Sequence, residues 1–502
     1  MFVGTASDVG KSILVTAFCR IFLQDGFAPA PFKGQNMSLN SFATPEGLEI
    51  GRAQAVQAES AGISCHTDMN PVLLKPTSDT GSQIILNGKV HGYMSASAYF
   101  SADNREVLFN EVKQAFHRLK FRYQPIVMEG AGSIAELNLK ELDITNLRMA
   151  IESGAATYLV ADIDKGGVFA SLYGTISLLS PIEKDCIKGL IINKFRGDPL
   201  LFESGKKLIE ELCGIPVVGI IPFYYDISIE EEDAVCLRKK NSGPIADKIN
   251  IAVILLDHIS NFTDFDRLEQ DCRVNLYYTC TAEAIVAADI IILPGTKNTI
   301  GDLISLRKKK LDEVIQEAVK NGKTVIGICG GFQMMGESLA DPDRIENPDQ
   351  FNVINKVTGL GLLPVHTIFT ATKISRQCTF KFKNQSEEAQ GYEIHMGETS
   401  SASYSPVNEL TDGSFDGYFL NNNCWGTYIH GILDNDSIIE LIINSILSSL
   451  RDQEKNKIRE EAVKPLIRPK TYRQFKNEQY DKLAAHIRQH IDLEQIYFDL
   501  IN

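Results

Sequence analysis

The sequence predicts an α/β protein built from two successive parallel-sheet units, and three observations lead there. The chain opens on a phosphate-binding loop, Gly4-Thr5-Ala6-Ser7-Asp8-Val9-Gly10-Lys11-Ser12, that runs into the helix-compatible stretch 13–18. Buried strand candidates then alternate with helical segments to residue 225, and a second such series starts at residue 249. Between them, residues 226–248 turn acidic and then basic around Ser242-Gly243-Pro244, the composition of an interdomain linker.

A chain of 502 residues is too long for one core. Its hydrophobic (44%) and charged (23%) contents are those of a globular protein, and no apolar run reaches the length of a membrane span. The chain enters the phosphate loop without the features of a secretory signal, so a cytoplasmic location is expected. Ten cysteines lie scattered without CxxC pairs, which argues for reduced thiols and against disulfides or a structural zinc site. A net charge of -14 argues against nucleic-acid and anionic-membrane partners, and an anionic substrate would need a locally basic pocket.

The loop is one residue longer than the common P-loop spacing. Backbone N–H groups from Gly10 onward face an anion, Lys11 reaches the outer phosphates, and the Ser12 hydroxyl suits Mg2+. Only Met1-Phe2-Val3 precede it, so the strand that feeds the loop looks short, and either preceding residues are missing or another segment takes that sheet position. After the first helix, Ala28–Phe32 delivers Lys33 at the end of an extended segment, where it meets phosphate or a substrate carboxylate, or else is an ordinary surface lysine. Residues 51–62 read as a helix, 71–76 and 83–86 as short strands, and 104–120 as an amphipathic helix. The stretch 124–130 is a buried strand ending in Glu129, a candidate second Mg2+ contact because ligands sit beyond the carboxyl ends of parallel strands; a helix-capping carboxylate is the bland alternative. Strands are expected at 156–161, 189–193 and 217–221. Asn193, at one strand end, is a candidate reader of an adenine edge.

In the second unit, strands are expected at 250–256, 289–295 and 323–328, with a helix presenting Leu311, Val314, Ile315, Ala318 and Val319 on one face. The third strand ends at Cys329, followed by Gly330, Gly331 and a helix start. That strand–turn–helix setting is a nucleophile elbow, and the helix dipole favours thiolate. His430, after the short strand of Trp425–Ile429, and His395, within Gly391–His395, are rival bases that spacing does not separate. The charged helical stretches 451–461 and 472–498 read as an appendage without chemistry of its own.

Read together, GTASDVGKS, APFKGQNMSLNS, MNPVLLKPTSD, EGAGS, ADIDKGGVFA, INKFRGD, ISNFTDFD, CGGFQMMG and GYEIHMGE resemble the cobyric acid synthase family of glutamine-dependent amidotransferases in cobalamin biosynthesis. The likeness covers nearly all of residues 1–450. It implies a dethiobiotin-synthetase-like P-loop ligase at 1–225, a linker at 226–248, a class I (triad-type) glutamine amidotransferase unit at 249–450 and a helical extension at 451–502. ATP would activate a carboxylate of adenosylcobyrinic acid a,c-diamide as an acyl phosphate, and ammonia from glutamine would amidate the b, d, e and g side chains. Cys329 is then the glutaminase nucleophile, His430 its base, and Gly295 and Gly330 the oxyanion hole. Gly10, Lys11, Ser12, Lys33 and Asn193 bind ATP, and Ser12 and Glu129 hold Mg2+; no tightly bound prosthetic group is implied, and a homo-oligomer is allowed.

The family's fuller triads carry an acid two positions after the histidine, where this chain has Ile432. The cobalamin branch is similar in lacking it, so a Cys–His dyad is expected. Asp257-His258 also departs from the Pro-Arg common in relatives. For the anionic corrinoid, Lys33, Arg52, Lys75 and Lys89 are the candidate cations. Two other readings compete: a partitioning-type P-loop switch, which leaves Cys329 idle, and a glutamine or γ-glutamyl hydrolase with a regulatory nucleotide domain.

Overall fold

The computed structural model describes residues 1–77, 81–232, 237, 243–346, 355–383, 385–451 and 471–501. In the first half, strand Phe2–Gly4 is short, as its sequence suggests, and lies inside a parallel sheet. It pairs with Thr157–Asp162, followed outward by Ile187–Phe195 and Val217–Pro222. On its other side Phe2 bridges to Glu129, just past strand Ile126–Met128, which pairs in parallel with Ala30–Phe32. Runs such as Tyr158-Leu159-Val160-Ala161 and Leu190-Ile191-Ile192 lack polar alternation because both faces are buried. The carboxyl ends of these strands carry the loop, Lys33, Glu129, Asp162 and Asn193 to one edge, with Asp162 and Asn193 in register. A separate mixed sheet, Gln35–Met37, Val72–Pro76, Gly81–Leu86 and Lys89–Ser95, stands beside it.

The second half holds a six-stranded sheet ordered Val274–Thr279, Ile249–Ile254, Ile290–Leu293, Thr324–Ile328, Cys424–Thr427 and Tyr418–Asn421, parallel but for the last. Strand Val274–Thr279, which the sequence reading passed over, sits at its edge. A long antiparallel pair, His366–Phe382 with Glu388–Ser400, belongs to a second sheet and carries His395.

The C-terminal stretch 472–498 is helical, as expected, but divided in two. Helices Tyr472–Arg488 and Leu493–Ile501 are separated by a turn in which Ile491 bridges to Gly219 at the edge of the first sheet. Leu483, Ala484, Ile487, Ile491 and Ile496 share one apolar cluster with Phe2, Phe18, Ile21 and Phe22. The helix expected at 451–461 falls almost wholly outside the described residues. Among those described, no helix is long and apolar enough to cross a membrane, and nine cysteines are free thiols.

Candidate functional site

Two sites take shape, one on each unit. In the first, Gly10 adopts φ +101°, and a Cβ there would stand 2.1 Å from the Asn193 amide nitrogen, so this turn requires glycine. Helix Lys11–Gln24 starts directly after it. Lys11 Nζ folds back onto the carbonyls of Ala6 (3.0 Å) and Gly132 (2.9 Å), and burial lowers its pKa to about 8 against the pull of Glu129. Glu129, buried, accepts from Ser12 Oγ (2.8 Å), Lys33 Nζ (2.8 Å) and Gln57 Nε2 (2.6 Å). Burial pushes its carboxyl up, but the Lys33 charge and these bonds outweigh that and hold it below the usual carboxylate range.

Ser12 and Lys33 thus converge on one oxygen of Glu129, and the adjacent hydroxyl and carboxylate form an all-oxygen donor set of the kind Mg2+ takes together with phosphates. Asn193 gives one amide hydrogen to Val9 O (2.8 Å), supporting the loop. These groups line a cavity of about 1520 Å³, roomier than the several hundred Å³ common for one small ligand.

The four candidate cations do not share that cavity. Lys33 lines it, but Arg52 is buried in an ion pair with Glu230 (2.7 Å), Lys75 is buried against Glu49 (2.8 Å), and Lys89 is exposed on the neighbouring sheet. The cations along the cavity besides Lys11 and Lys33 are Arg105, Lys140, Arg148, Lys165 and Lys194. They come from sequence-distant helices, loops and, for Lys194, the end of strand Ile187–Phe195, which spacing could not gather. Nor is the stretch after residue 225 a bare tether: Glu230 and Glu232 also line the cavity, and Glu232 lies 3.7 Å from Lys33 Nζ and accepts from Asn36.

In the second site, Cys329 sits between strand Thr324–Ile328 and helix Gly330–Met335 with φ 50° and ψ -111°, a strained conformation held because the turn is packed on both sides. A Cβ on Gly331 would lie 1.9 Å from Leu293 O, so only glycine follows the elbow there. Cys329 N donates to Thr427 O (2.8 Å), and Sγ faces Ile394 O at 3.6 Å. His430 is almost wholly buried beside Cys329, whose charge acts on its ring.

The dyad expectation is corrected here. His430 Nδ1 lies 2.7 Å from Asp264 Oδ2, and Asp264 Oδ1 accepts from Gly431 N (2.9 Å), so a buried carboxylate fixes the ring, with Nδ1–H toward the acid and Nε2 free for chemistry. Burial alone would depress this imidazole, but the charges of Asp264 and Cys329 raise it to about 10.

Asp264 comes from ISNFTDFD, before the nucleophile in the chain, whereas the acid of the fuller triads stands two positions after the histidine. The available signal was an acid between Phe262 and Phe265 beyond the unit's first strand. Gly330 occupies the first turn of its helix, where N–H groups lack intrahelical partners. Gly295 borders the ring, since a Cβ there would meet His430 Cε1 at 3.0 Å. The rival His395 donates from Nδ1 to Gly397 O (2.9 Å), stacks on Tyr428 at 3.7 Å, and is pulled by burial from 6.5 down to about 4. Asp257 and His258 turn away to the helix Thr299–Lys308, bonding Ser305 and Asp302.

With this geometry in hand, comparison with known proteins gives a consistent result. The family model for the CobQ/CobB/MinD/ParA nucleotide binding domain matches residues 1–234, and that for the CobB/CobQ-like glutamine amidotransferase domain matches residues 250–438. The chain is 57% identical over 508 residues to the cobyric acid synthase of Parabacteroides distasonis, covering 100% of this chain and 98% of that protein. It is 55% identical over 500 residues to that of Bacteroides fragilis, with 99% and 97% covered. To that of Syntrophobacter fumaroxidans it is 44% identical over 520 residues, again with 99% and 97% covered.

Proposed function

Since the chain belongs to the cobyric acid synthase family, we propose that it uses ATP and glutamine to amidate the b, d, e and g carboxylates of adenosylcobyrinic acid a,c-diamide. The observation that carries this reading is the presence in one chain of a phosphate-loop cavity and of Cys329, His430 and Asp264 arranged as an acyl-transfer centre.

In the glutaminase unit, which we place at 249–450, Cys329 Sγ attacks the glutamine carboxamide. His430 passes a proton to the departing nitrogen, ammonia leaves, and water releases glutamate from the thioester. Asp264 holds the imidazole in the required tautomer, and the N–H groups of Gly295 and Gly330 receive the oxyanion. In the ligase unit, 1–225, the loop from Gly10, with Lys11, grips the triphosphate. Lys33 stands where the γ-phosphate and the attacked carboxylate meet, offsetting their repulsion as the acyl phosphate forms. Ammonia then displaces phosphate. Ser12 and Glu129 would hold Mg2+, which when bound neutralises phosphate charge.

The test is product analysis with ATP, glutamine and the corrinoid acid. Stepwise amidation accompanied by glutamate, ADP and phosphate is expected; glutamate release without any amidated product would overturn the reading.

A further inference from the structure

The glutaminase centre is not built by its own unit alone. A small hairpin of the first unit, Ser41–Ala43 paired with Glu49–Gly51, forms a two-stranded sheet of its own and seats against the second unit. Ser41 N donates to Asn261 Oδ1 (2.9 Å), within the segment that delivers Asp264, and Gln377 Nε2 donates to Ala43 O (3.0 Å). At the far strand, buried Glu49 ion-pairs with Lys75 of its own unit and Lys373 of the other.

Between these anchors Phe42 meets Tyr392 edge to face, with ring centroids 4.6 Å apart, and Tyr392 lies flat against His430 at 5.3 Å with 24° between the planes. The main chains of Tyr392 and His430 also exchange two hydrogen bonds, of 3.0 and 2.8 Å. Ala43, Tyr392 and Ile394 form a small apolar cluster of their own, Phe42 packs both on it and on the core of the first unit, and Ile394 is the residue whose carbonyl faces Cys329 Sγ. On its outer side the Phe42 ring is covered by the Arg52 guanidinium at 4.8 Å, itself fixed by Glu230.

We infer that Phe42 is a positioning residue for the glutaminase reaction: from the ligase unit it backs Tyr392, which in turn holds the plane of His430 against Cys329. Asp264 fixes one ring nitrogen but leaves the imidazole free to tilt about that bond. The face of Tyr392 removes this freedom, and Tyr392 keeps its own orientation only while Phe42 fills the space behind it. This rests on the assignment of Cys329 and His430 above.

The experiment compares Phe42→Ala, Phe42→Leu and Phe42→Tyr in the full chain, measuring glutamine hydrolysis and amidation driven by either glutamine or ammonium salt. A displaced catalytic group costs on the order of ten- to a hundredfold, so Phe42→Ala should lose that much in kcat for glutamine, with KM changed less than about threefold. Its ammonia-driven amidation should stay as in the parent. Phe42→Tyr, which keeps the ring, should restore hydrolysis, and Phe42→Leu should fall between. Unchanged glutamine kcat in Phe42→Ala, or an equal loss with ammonia, would overturn the inference. If the parent chain itself released glutamate without amidating, the fault would lie in the functional reading beneath it.

Discussion

Asp264 is the side chain whose removal distinguishes a triad from a dyad. Asp264→Asn leaves the volume but takes away the charge that favours the imidazolium and the correct tautomer, so glutamine-dependent turnover should fall about a hundredfold or more, within the range for general acid–base groups. Ammonia-dependent amidation should persist, and Cys329→Ala should show the same split in more extreme form; steady-state assays with each nitrogen source check both. His395 provides the contrasting test. Its folded pKa of about 4 lies below the unfolded 6.5, so between those values the unfolded chain binds a proton that the folded chain refuses. Stability from this group is therefore present above 6.5 and lost as pH falls through 4, by about 3 kcal/mol in all. Denaturant unfolding of His395→Asn at pH 7 and pH 4 should show the stability gap between parent and variant narrowing by that order. Spacing could not choose between the two histidines because what separates them is partnership: one is bonded at 2.7 Å to a carboxylate brought from 166 residues away, while the other bonds a backbone carbonyl, stacks on a phenol ring and has Glu393 no nearer than 4.0 Å.

The phosphate loop and its helix form an element whose role was legible in advance, since nine consecutive residues specify the turn, the anion cradle and the helix start. Lys11→Ala and Ser12→Ala should abolish amidation with either nitrogen source, whereas Glu129→Gln should chiefly raise the Mg2+ concentration needed for half-maximal rate. An unchanged Mg2+ dependence would return Glu129 to a structural role. The elements missed were those whose logic is not local. Val274–Thr279 is a fully buried edge strand, but its Asn275, Tyr277 and Tyr278 break the aliphatic pattern that marks its neighbours. Helix Tyr472–Arg488 reads as charged because much of it faces water, yet Leu483 is wholly buried against the first unit. Leu483→Ala should therefore cost about 2–5 kcal/mol, read as a lower denaturation midpoint of the nucleotide-binding unit.

For the molecule as a whole, a net charge of -14 opposes an anionic acceptor, and the cavity mixes lysines and arginines from distant segments with carboxylates such as Glu129, Glu230 and Glu232 rather than gathering the cations nearest in sequence. Lys33→Met should lower both turnover and apparent corrinoid affinity in kinetics with the corrinoid varied at saturating ATP and glutamine, because that lysine alone of the four expected stands beside Glu129 in the cavity. The boundary-crossing features, the hairpin at Phe42 and the helices after residue 471, are also what a reading in consecutive segments cannot see. The latter have a consequence for how the protein is made. The ribosome delivers the nucleotide-binding unit first, but part of the apolar cover of Phe18, Ile21 and Phe22 emerges only with Leu483, Ile487 and Ile496. At a synthesis rate of roughly 5–20 residues per second, that greasy face waits on the order of a quarter of a minute to a minute, only partly covered, while the intervening unit is translated. The nascent chain thus carries a built-in interval of vulnerability, which ends with the arrival of its last two helices.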